Sequence, residues 1–249
     1  MEHMPNYGHI MWFAECFLDL SFAVDSSGSI NYKDPTNWDK SLQFVANITN
    51  SFDIGPDDTQ VAFVVFSTTA EVEWDLTRYR DKTSLLGAIE DVPYLGDHTN
   101  LNDALYLTRT QVFAENRGTR PGAIKATIIL TDGEDNIPAI GTMLTIANAT
   151  ALENEDVRLI AVGVSNMVDE DRLLQIVSSP DDLYRVDDFG ALSSIVAKIT
   201  PELCDTPAPQ SGTRPHFTCY SSTHIGGFPA LGMPIKFPQN DYVIQSFSY

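Results

Sequence analysis

Residues 18–29 read LDLSFAVDSSGS, and this stretch decides the fold of the chain. Its first part, 18–24, is mainly apolar and predicts a strand that is buried within a sheet. The acid Asp25 and the hydroxyls of Ser27 and Ser29 follow directly, around Gly28, whose missing Cβ permits a tight loop. A buried strand that runs straight into alternating oxygen donors predicts a binding site at the carboxyl end of that strand.

The chain from about 17 to 204 alternates short apolar runs with helical patterns. The apolar runs predict six strands, at 18–24, 60–67, 70–76, 126–130, 159–164 and 183–186. The helical patterns lie at about 38–52, 81–92, 101–115, 139–154, 169–178 and 189–200. This alternation predicts an α/β fold, a doubly wound, mostly parallel six-stranded sheet flanked by helices. In such sheets, ligands bind beyond the carboxyl ends of the strands.

Two further oxygen donors lie in loops that follow or precede other predicted elements. Thr99 precedes the helix that begins near 101, and Asp132 directly follows a core strand. Because neighbouring strand ends converge in a doubly wound sheet, we expect both to meet the donors that follow the first strand. Two carboxylates and three hydroxyls are oxygen ligands of the kind that a hard divalent cation favours.

The Asp-x-Ser-x-Ser pattern at 25–29 has other interpretations when it is taken alone. It is equally typical of a helix N-cap, because Ser and Asp favour that position. A dinucleotide-binding loop is disfavoured, because the carboxylate of Asp25 would repel a phosphate and the loop has no glycine-rich cradle. The coincidence of three elements at three suitable loop positions favours the metal site.

This constellation resembles a von Willebrand factor A domain with a complete metal-ion-dependent adhesion site. The resemblance assigns the metal ligands as Asp25, Ser27, Ser29, Thr99 and Asp132. It covers residues 16–204, and the segments 52–61 and 118–122 are similar to the extracellular-matrix branch, as in matrilins and collagen A domains. The chain departs from the family at 97–98, where a second glycine is usual before the threonine, and at Leu101, where a second threonine is common.

The resemblance implies a non-enzymatic binding module of a secreted or extracellular-matrix protein. Its site would hold Mg²⁺, or alternatively Mn²⁺ or Ca²⁺, and would take an acidic side chain of a protein partner such as collagen or another matrix protein. It also implies a disulfide between Cys16 and Cys204, which flank the predicted domain. Cys219 is left over, and we expect it to pair with a cysteine outside this chain.

The composition excludes several classes of protein. The formal net charge is −19 over 249 residues, which argues against nucleic-acid binding and against an anionic membrane surface. The longest apolar run, Val61–Phe66, is far shorter than the roughly 18 residues of a membrane span, so no membrane insertion is expected. Residues 1–13 lack the basic region of a signal peptide. Sequons at Asn47 and Asn148 are glycosylation candidates.

The predicted organisation has four parts. An N-terminal extension at 1–15 precedes the A domain at 16–204, and a linker rich in Pro and Gly follows at 205–234. The final segment, 235–249, resembles the first strand of a pentraxin or laminin-G-like domain, in its Phe-Pro pair followed by a Tyr-Val pair. We therefore expect the chain to be a fragment of a longer mosaic protein.

Three other functions remain open at this point. One is an intracellular A domain of an assembly machine, such as a metal-chelatase subunit, against which the pair Cys16 and Cys204 weighs. Another is an A domain attached to a protease or channel, although no catalytic triad is visible and the five histidines show no zinc spacing. The third is an acidic structural matrix protein that organises calcium or mineral, for which the charge of −19 would be the working feature.

Overall fold

A computed structural model of the chain describes residues 16–133, 139–166 and 168–205. The strands are β1 (Leu18–Asp25), β2 (Thr59–Phe66), β3 (Ala70–Trp74), β4 (Ile124–Thr131), β5 (Val157–Val164) and β6 (Leu183–Val186). The helices are α1 (Asn37–Asn50), α2 (Lys82–Glu90), α3 (Leu101–Leu107), α4 (Ala139–Asn154), α5 (Glu170–Leu173) and α6 (Ser193–Asp205). A π-helical turn, Thr108–Val112, continues α3, and two 3₁₀ turns are formed by Pro180–Asp182 and Phe189–Ala191.

The six strands form one sheet in the order β3-β2-β1-β4-β5-β6. Strand β3, at one edge, runs antiparallel to β2, and the other neighbouring pairs are parallel. This confirms the predicted doubly wound, mostly parallel six-stranded fold with flanking helices. The strand order reverses between β1 and β4, so the loops that follow these two strands open a crevice at the carboxyl edge of the sheet.

Strand β1 lies at the centre of the sheet and is buried along its whole length. Because side chains alternate along a strand, Leu20 and Phe22 pack into one core with α1, α2 and α6. Ala23 faces the opposite core, which α3, α4 and α5 cover. Two helical layers thus remove β1 from water on both faces, although its sequence alternates large apolar side chains with the polar or small residues Asp19, Ser21 and Ala23.

A buried ion pair lies at the end of the sheet where the parallel strands begin, which we call the amino edge. Asp19 is fully buried, and its carboxylate accepts hydrogen bonds from Nε and from the backbone N–H of Arg120, both at 2.8 Å. The same guanidinium donates to two main-chain carbonyls and lies 4.1 Å from the ring centroid of Phe17. Burial raises the pKa of Asp19, and the hydrogen bonds and charge of Arg120 oppose that rise. The segment 118–122, which resembles the matrix branch, therefore carries a structural clamp.

The predicted end of the last helix, near Pro201, is wrong. Proline removes one helical hydrogen bond, yet α6 continues for another turn after it. That turn is held from outside the helix: Leu203 is fully buried, and Nη1 of Arg158 donates to the carbonyl oxygen of Glu202 at 2.8 Å. Tertiary contacts therefore offset the local cost of the proline.

The helix predicted at 169–178 is shorter than expected, because α5 spans only one turn. Leu159 in β5 exchanges two hydrogen bonds with Ser178: the Ser178 N–H donates to the carbonyl at 3.0 Å, and the Leu159 N–H donates to Oγ at 2.9 Å. Turns follow α5 as far as Val177, whose N–H donates to the carbonyl of Leu173 at 3.1 Å, and the bonds with Ser178 then return the chain to the sheet.

A disulfide joins Cys16 to Cys204 across 188 residues of sequence, with the two Cα atoms 5.4 Å apart. Cys16 lies just before β1 and Cys204 lies in the last turn of α6, so the bridge ties the two ends of the described fold together. This is the pair that the family resemblance implies.

Other predictions fall on residues that the structure does not describe. The extension at 1–15, the linker from 206 to 234, the segment 235–249 and Cys219 all lie outside the described residues. The four-part domain organisation therefore stays a prediction. Within the described residues, every helix is too short or too polar to cross a membrane.

Replacing Arg120 with methionine should lower the free energy of unfolding by about 3–5 kcal/mol, because Asp19 would remain buried without its partner charge. Urea unfolding of the wild type and the variant measures this difference. The matched control is Arg117→Met, since the exposed side chain of Arg117 has no hydrogen bond or ion pair within the described residues. The control should change the free energy by less than about 0.5 kcal/mol. Equal effects of the two substitutions would contradict the clamp.

Candidate metal centre

Asp25 ends β1 with its side chain fully buried at the carboxyl edge of the sheet. Its Oδ1 accepts a hydrogen bond from the backbone N–H of Ser27 at 2.9 Å. Its Oδ2 accepts a hydrogen bond from Oγ1 of Thr131, the last residue of β4, at 2.7 Å. Asp25 therefore connects the ends of the two strands between which the strand order reverses.

A short chain of hydrogen bonds continues from the first loop to the second. The Oγ atoms of Ser27 and Ser29 lie 3.0 Å apart, and Oγ of Ser29 donates to Oδ1 of Asp132 at 2.7 Å. Ser27 and Asp132 are both buried, so these oxygens form a compact polar group at the floor of the crevice. Four of the five predicted site residues are thus brought together by hydrogen bonds that the structure contains.

The third loop, 94–99, is fixed against the first by main-chain hydrogen bonds. The N–H of Gly28 donates to the carbonyl of Asp97 at 2.7 Å, and the N–H of Gly96 donates to the carbonyl of Ser26 at 2.8 Å. Gly96 has a φ of +77°, a conformation that residues with a Cβ rarely adopt. This docking places Thr99, which is 3% exposed, on the same crevice as Ser29 and Asp132.

Two supporting residues were not predicted from the sequence. Thr131 holds the carboxylate of Asp25, and the hydroxyl of Tyr94 donates to the carbonyl of Ser27 at 2.8 Å. The sequence does give a hint for Thr131, because it is a polar residue at the end of an apolar strand and directly precedes the acid Asp132. Tyr94 offers no comparable signal, because its contact depends on how two loops dock.

Burial is the main electrostatic feature of the site. It raises the pKa of Asp25 to about 7, although hydrogen bonds from Thr131 and Ser27 lower it, and the negative charge of Asp132 raises it further. Burial also raises the pKa of Asp132, against the hydrogen bond from Ser29. Two buried carboxylates that repel each other are the arrangement that a bound cation would relieve.

The donor set fits a hard divalent cation. Among the described residues, no group of three His, Cys, Asp or Glu side chains is placed to hold a metal ion, so a nitrogen- or sulfur-rich zinc site has no support there. Two carboxylates and two hydroxyls are instead joined by hydrogen bonds, with Thr99 lining the same crevice, and such oxygen donors suit Mg²⁺, Mn²⁺ or Ca²⁺. The residues that would hold the ion are Asp25, Ser27, Ser29, Thr99 and Asp132.

The third loop carries Asp97 and His98, two of the three residues at which the chain departs from the resembled family. Asp97 and His98 are exposed, with Nε2 of His98 3.8 Å from Oδ1 of Asp97. Their main chain is held in place by Ser67. Oγ of Ser67 donates to the carbonyl of His98 at 3.0 Å and accepts from the N–H of Asp97 at 3.1 Å. The departure from the family at these two positions therefore changes exposed side chains, while the hydrogen bonds to Ser67 hold the main chain of the loop.

The two glycosylation candidates have different surroundings. Both lie in helices, Asn47 in α1 and Asn148 in α4. The amide of Asn148 is engaged by neighbouring segments, since Nδ2 donates to Oδ1 of Asn102 at 3.1 Å and Oδ1 accepts from Nε of Arg109 at 3.4 Å. Oδ1 of Asn47 accepts only from Gln43 in the same helix, among the residues that the structure describes. A glycan is therefore better accommodated at Asn47, and both sites stay predictions.

The sequence profile of the von Willebrand factor type A domain matches residues 19–198. The chain belongs to the von Willebrand factor type A domain family. This membership agrees with the resemblance seen in the sequence and with the six-stranded sheet of the structure.

Curated relatives of this A domain are matrix proteins. The chain is 34% identical over 204 residues to the collagen alpha-1(XII) chain of Notophthalmus viridescens, covering 79% of this chain and 20% of that one. It is 30% identical over 189 residues to matrilin-1 of Gallus gallus, covering 75% of this chain and 36% of that one. The expectation that the chain is not an enzyme is confirmed by these relationships. The chain spans only a fifth to about a third of the length of these two relatives.

Solved structures similar to this chain include proteins that were solved with a metal ion. Proximal thread matrix protein 1 from the mussel byssus, solved with a zinc-occupied MIDAS motif, has a TM-score of 0.69 at 30% identity. That alignment covers 76% of this chain and 47% of the byssus protein. The manganese-loaded TRAP protein of Plasmodium vivax has a TM-score of 0.62 at 22% identity, covers 76% of this chain and 74% of that one, and shows the shared fold alone.

Replacing Asp132 with asparagine should weaken Mg²⁺ or Mn²⁺ binding by at least about 100-fold, because it removes a charged donor and leaves the shape of the side chain. Calorimetric titration of the metal-free protein measures the affinity, and circular dichroism checks the fold. Asp57→Asn changes an exposed acid that lies outside the crevice and is the matched control. Wild-type affinity in the Asp132→Asn protein would contradict the assignment.

Proposed function

We propose that this A domain is an adhesion module that binds an acidic side chain of a matrix protein through a divalent cation. The single observation that carries the proposal is the convergence of Asp25, Ser27, Ser29 and Asp132, by hydrogen bonds, at the carboxyl edge of the sheet. Thr99 lines the same crevice and completes the proposed ligand set. The kinship with collagen and matrilin chains supports the class of partner.

The chain's own residues would give the bound ion its reactivity toward a partner. Three of the five proposed ligands are neutral hydroxyls, so the protein supplies at most two negative charges to a doubly charged ion. The burial of Asp25 and Asp132 keeps these charges out of bulk water. A bound cation would act as a Lewis acid with one position open to a partner's carboxylate. The loops position the proposed ligands and keep the two carboxylates buried. This function needs no nucleophile or general base.

The identity of the ion and of the partner belongs to the proposal. We favour Mg²⁺, with Mn²⁺ and Ca²⁺ as alternatives, because each prefers oxygen ligands. We infer that the partner is collagen or another matrix protein, and that the protein acts outside the cell. The bridge between Cys16 and Cys204 supports an oxidising compartment and weighs against an intracellular assembly subunit.

One alternative is favoured by a specific observation, the formal net charge of −19. An acidic structural protein that organises calcium or mineral would bind many ions weakly through its surface carboxylates. The proposed adhesion module binds one ion at a defined site. Calcium titration by calorimetry separates the two, since only the structural protein would take up many ions per chain and keep them after Asp132→Asn.

Solid-phase binding to collagen and to a panel of other matrix proteins tests the adhesion function. The wild-type domain should bind at least one of them in Mg²⁺, and EDTA or Asp132→Asn should reduce that binding at least about tenfold, since both remove the bridging ion. Asp57→Asn should bind like the wild type. Binding that survives both EDTA and Asp132→Asn would refute the metal bridge.

A further inference from the structure

A groove at the metal centre is lined by charged residues from two loops. We call it the edge groove; its lining includes Ser29 and Asp132 of the proposed metal site. Its first wall is the loop between β1 and α1, which contributes Lys33, and its second wall is the loop that follows β6, which contributes Asp187 and Asp188. A partner that binds in this groove therefore meets charges from both loops.

Most charges along the edge groove are already engaged within the protein. Lys40 forms an ion pair with Asp34 at 2.7 Å, and that carboxylate also accepts hydrogen bonds from Thr36. Oδ1 of Asp188 accepts a hydrogen bond from the backbone N–H of Ala191 at 3.1 Å, which caps a 3₁₀ turn. Lys40 and Asp34 therefore neutralise each other, whereas Asp188 keeps its negative charge with one oxygen committed to the cap.

Two exposed charged side chains, one on each wall, have no partner in a hydrogen bond or ion pair among the described residues. Within the described residues, neither Lys33 nor Asp187 makes a side-chain hydrogen bond or ion pair. Lys33 is also within electrostatic range of the metal centre, because its positive charge opposes the burial that raises the pKa of Asp132. The chain has 15 basic and 34 acidic side chains, so most of its exposed charge is negative. Lys33 places a positive charge beside the proposed adhesion site, against this general trend.

We propose that Lys33 and Asp187 read the charge order of the partner: the acid that reaches the ion is flanked by a second acid on the Lys33 side and by a basic residue on the Asp187 side. This inference rests on the proposed adhesion function and names the partner's chemistry. Opposite charges on two different loops give the bound peptide a direction, because reversing the peptide brings like charges together. An exposed ion pair contributes little binding free energy. The charges of the groove would therefore set the direction of the peptide, and the ion would contribute most of the affinity.

A peptide array tests the proposal with defined probes. Each spot carries a central Glu with an acid at one end and a base at the other, in both orders and at several spacings, together with neutral-flanked spots. In Mg²⁺ and low salt, the wild-type domain should prefer one order by about two- to fivefold, and high salt should reduce the preference. Lys33→Glu and Asp187→Lys should each remove the preference, and the double variant should invert it.

Two matched substitutions serve as controls, Lys198→Glu and Asp57→Lys, because both change exposed charges outside the edge groove. They should leave the preference unchanged. Mg²⁺-dependent binding that ignores charge order, or a preference that survives the double variant, would overturn the role of Lys33 and Asp187 while leaving the adhesion function intact. If no spot and no matrix protein binds in an EDTA-sensitive manner, the adhesion function fails and this inference fails with it.

Discussion

The hydrogen bond from Thr131 to the buried carboxylate of Asp25 is the contact on which the functional edge of this A domain depends. It joins the ends of β1 and β4, the two strands between which the sheet reverses its order. With that carboxylate fixed, the N–H of Ser27 has an acceptor, and the hydroxyls of Ser27 and Ser29 lead to Asp132. Burying a carboxylate costs free energy unless its oxygens accept hydrogen bonds. Each group in this site therefore provides a hydrogen-bond partner for another.

The opposite edge of the sheet is held by different means. Arg120 binds Asp19 there, the disulfide joins Cys16 to Cys204, and Arg158 bonds to the last turn of α6. Sliding α6 along the sheet by one turn, about 5.4 Å, would have to strain the bridge and break the bonds from Arg158. The amino edge is therefore tied by a disulfide, an ion pair and hydrogen bonds, whereas the carboxyl edge is made of loops that hydrogen-bond to one another.

Much of the fold could be predicted from the sequence because its strands are short, apolar and regularly spaced. The run at 18–24 indicated the central strand, and the rule that ligands bind at carboxyl strand ends brought Thr99 and Asp132 to the same place. The end of α6 could not be predicted, since local propensity at Pro201 is outweighed by the tertiary contacts of the following turn. The support from Tyr94 and the charged walls of the edge groove also depend on loop docking, which no local pattern encodes.

The central claim is that five oxygen donors from three loops hold one divalent cation. Anomalous diffraction from crystals of the domain grown with Mn²⁺ tests it most directly, because the ion is located without reference to any assigned ligand. The account predicts one strong manganese peak at which each of Asp25, Ser27, Ser29, Thr99 and Asp132 either has an oxygen within about 2.5 Å of the ion or hydrogen-bonds to a water that coordinates it. A manganese peak at another place on the surface, with none at the carboxyl edge between β1 and β4, would contradict it.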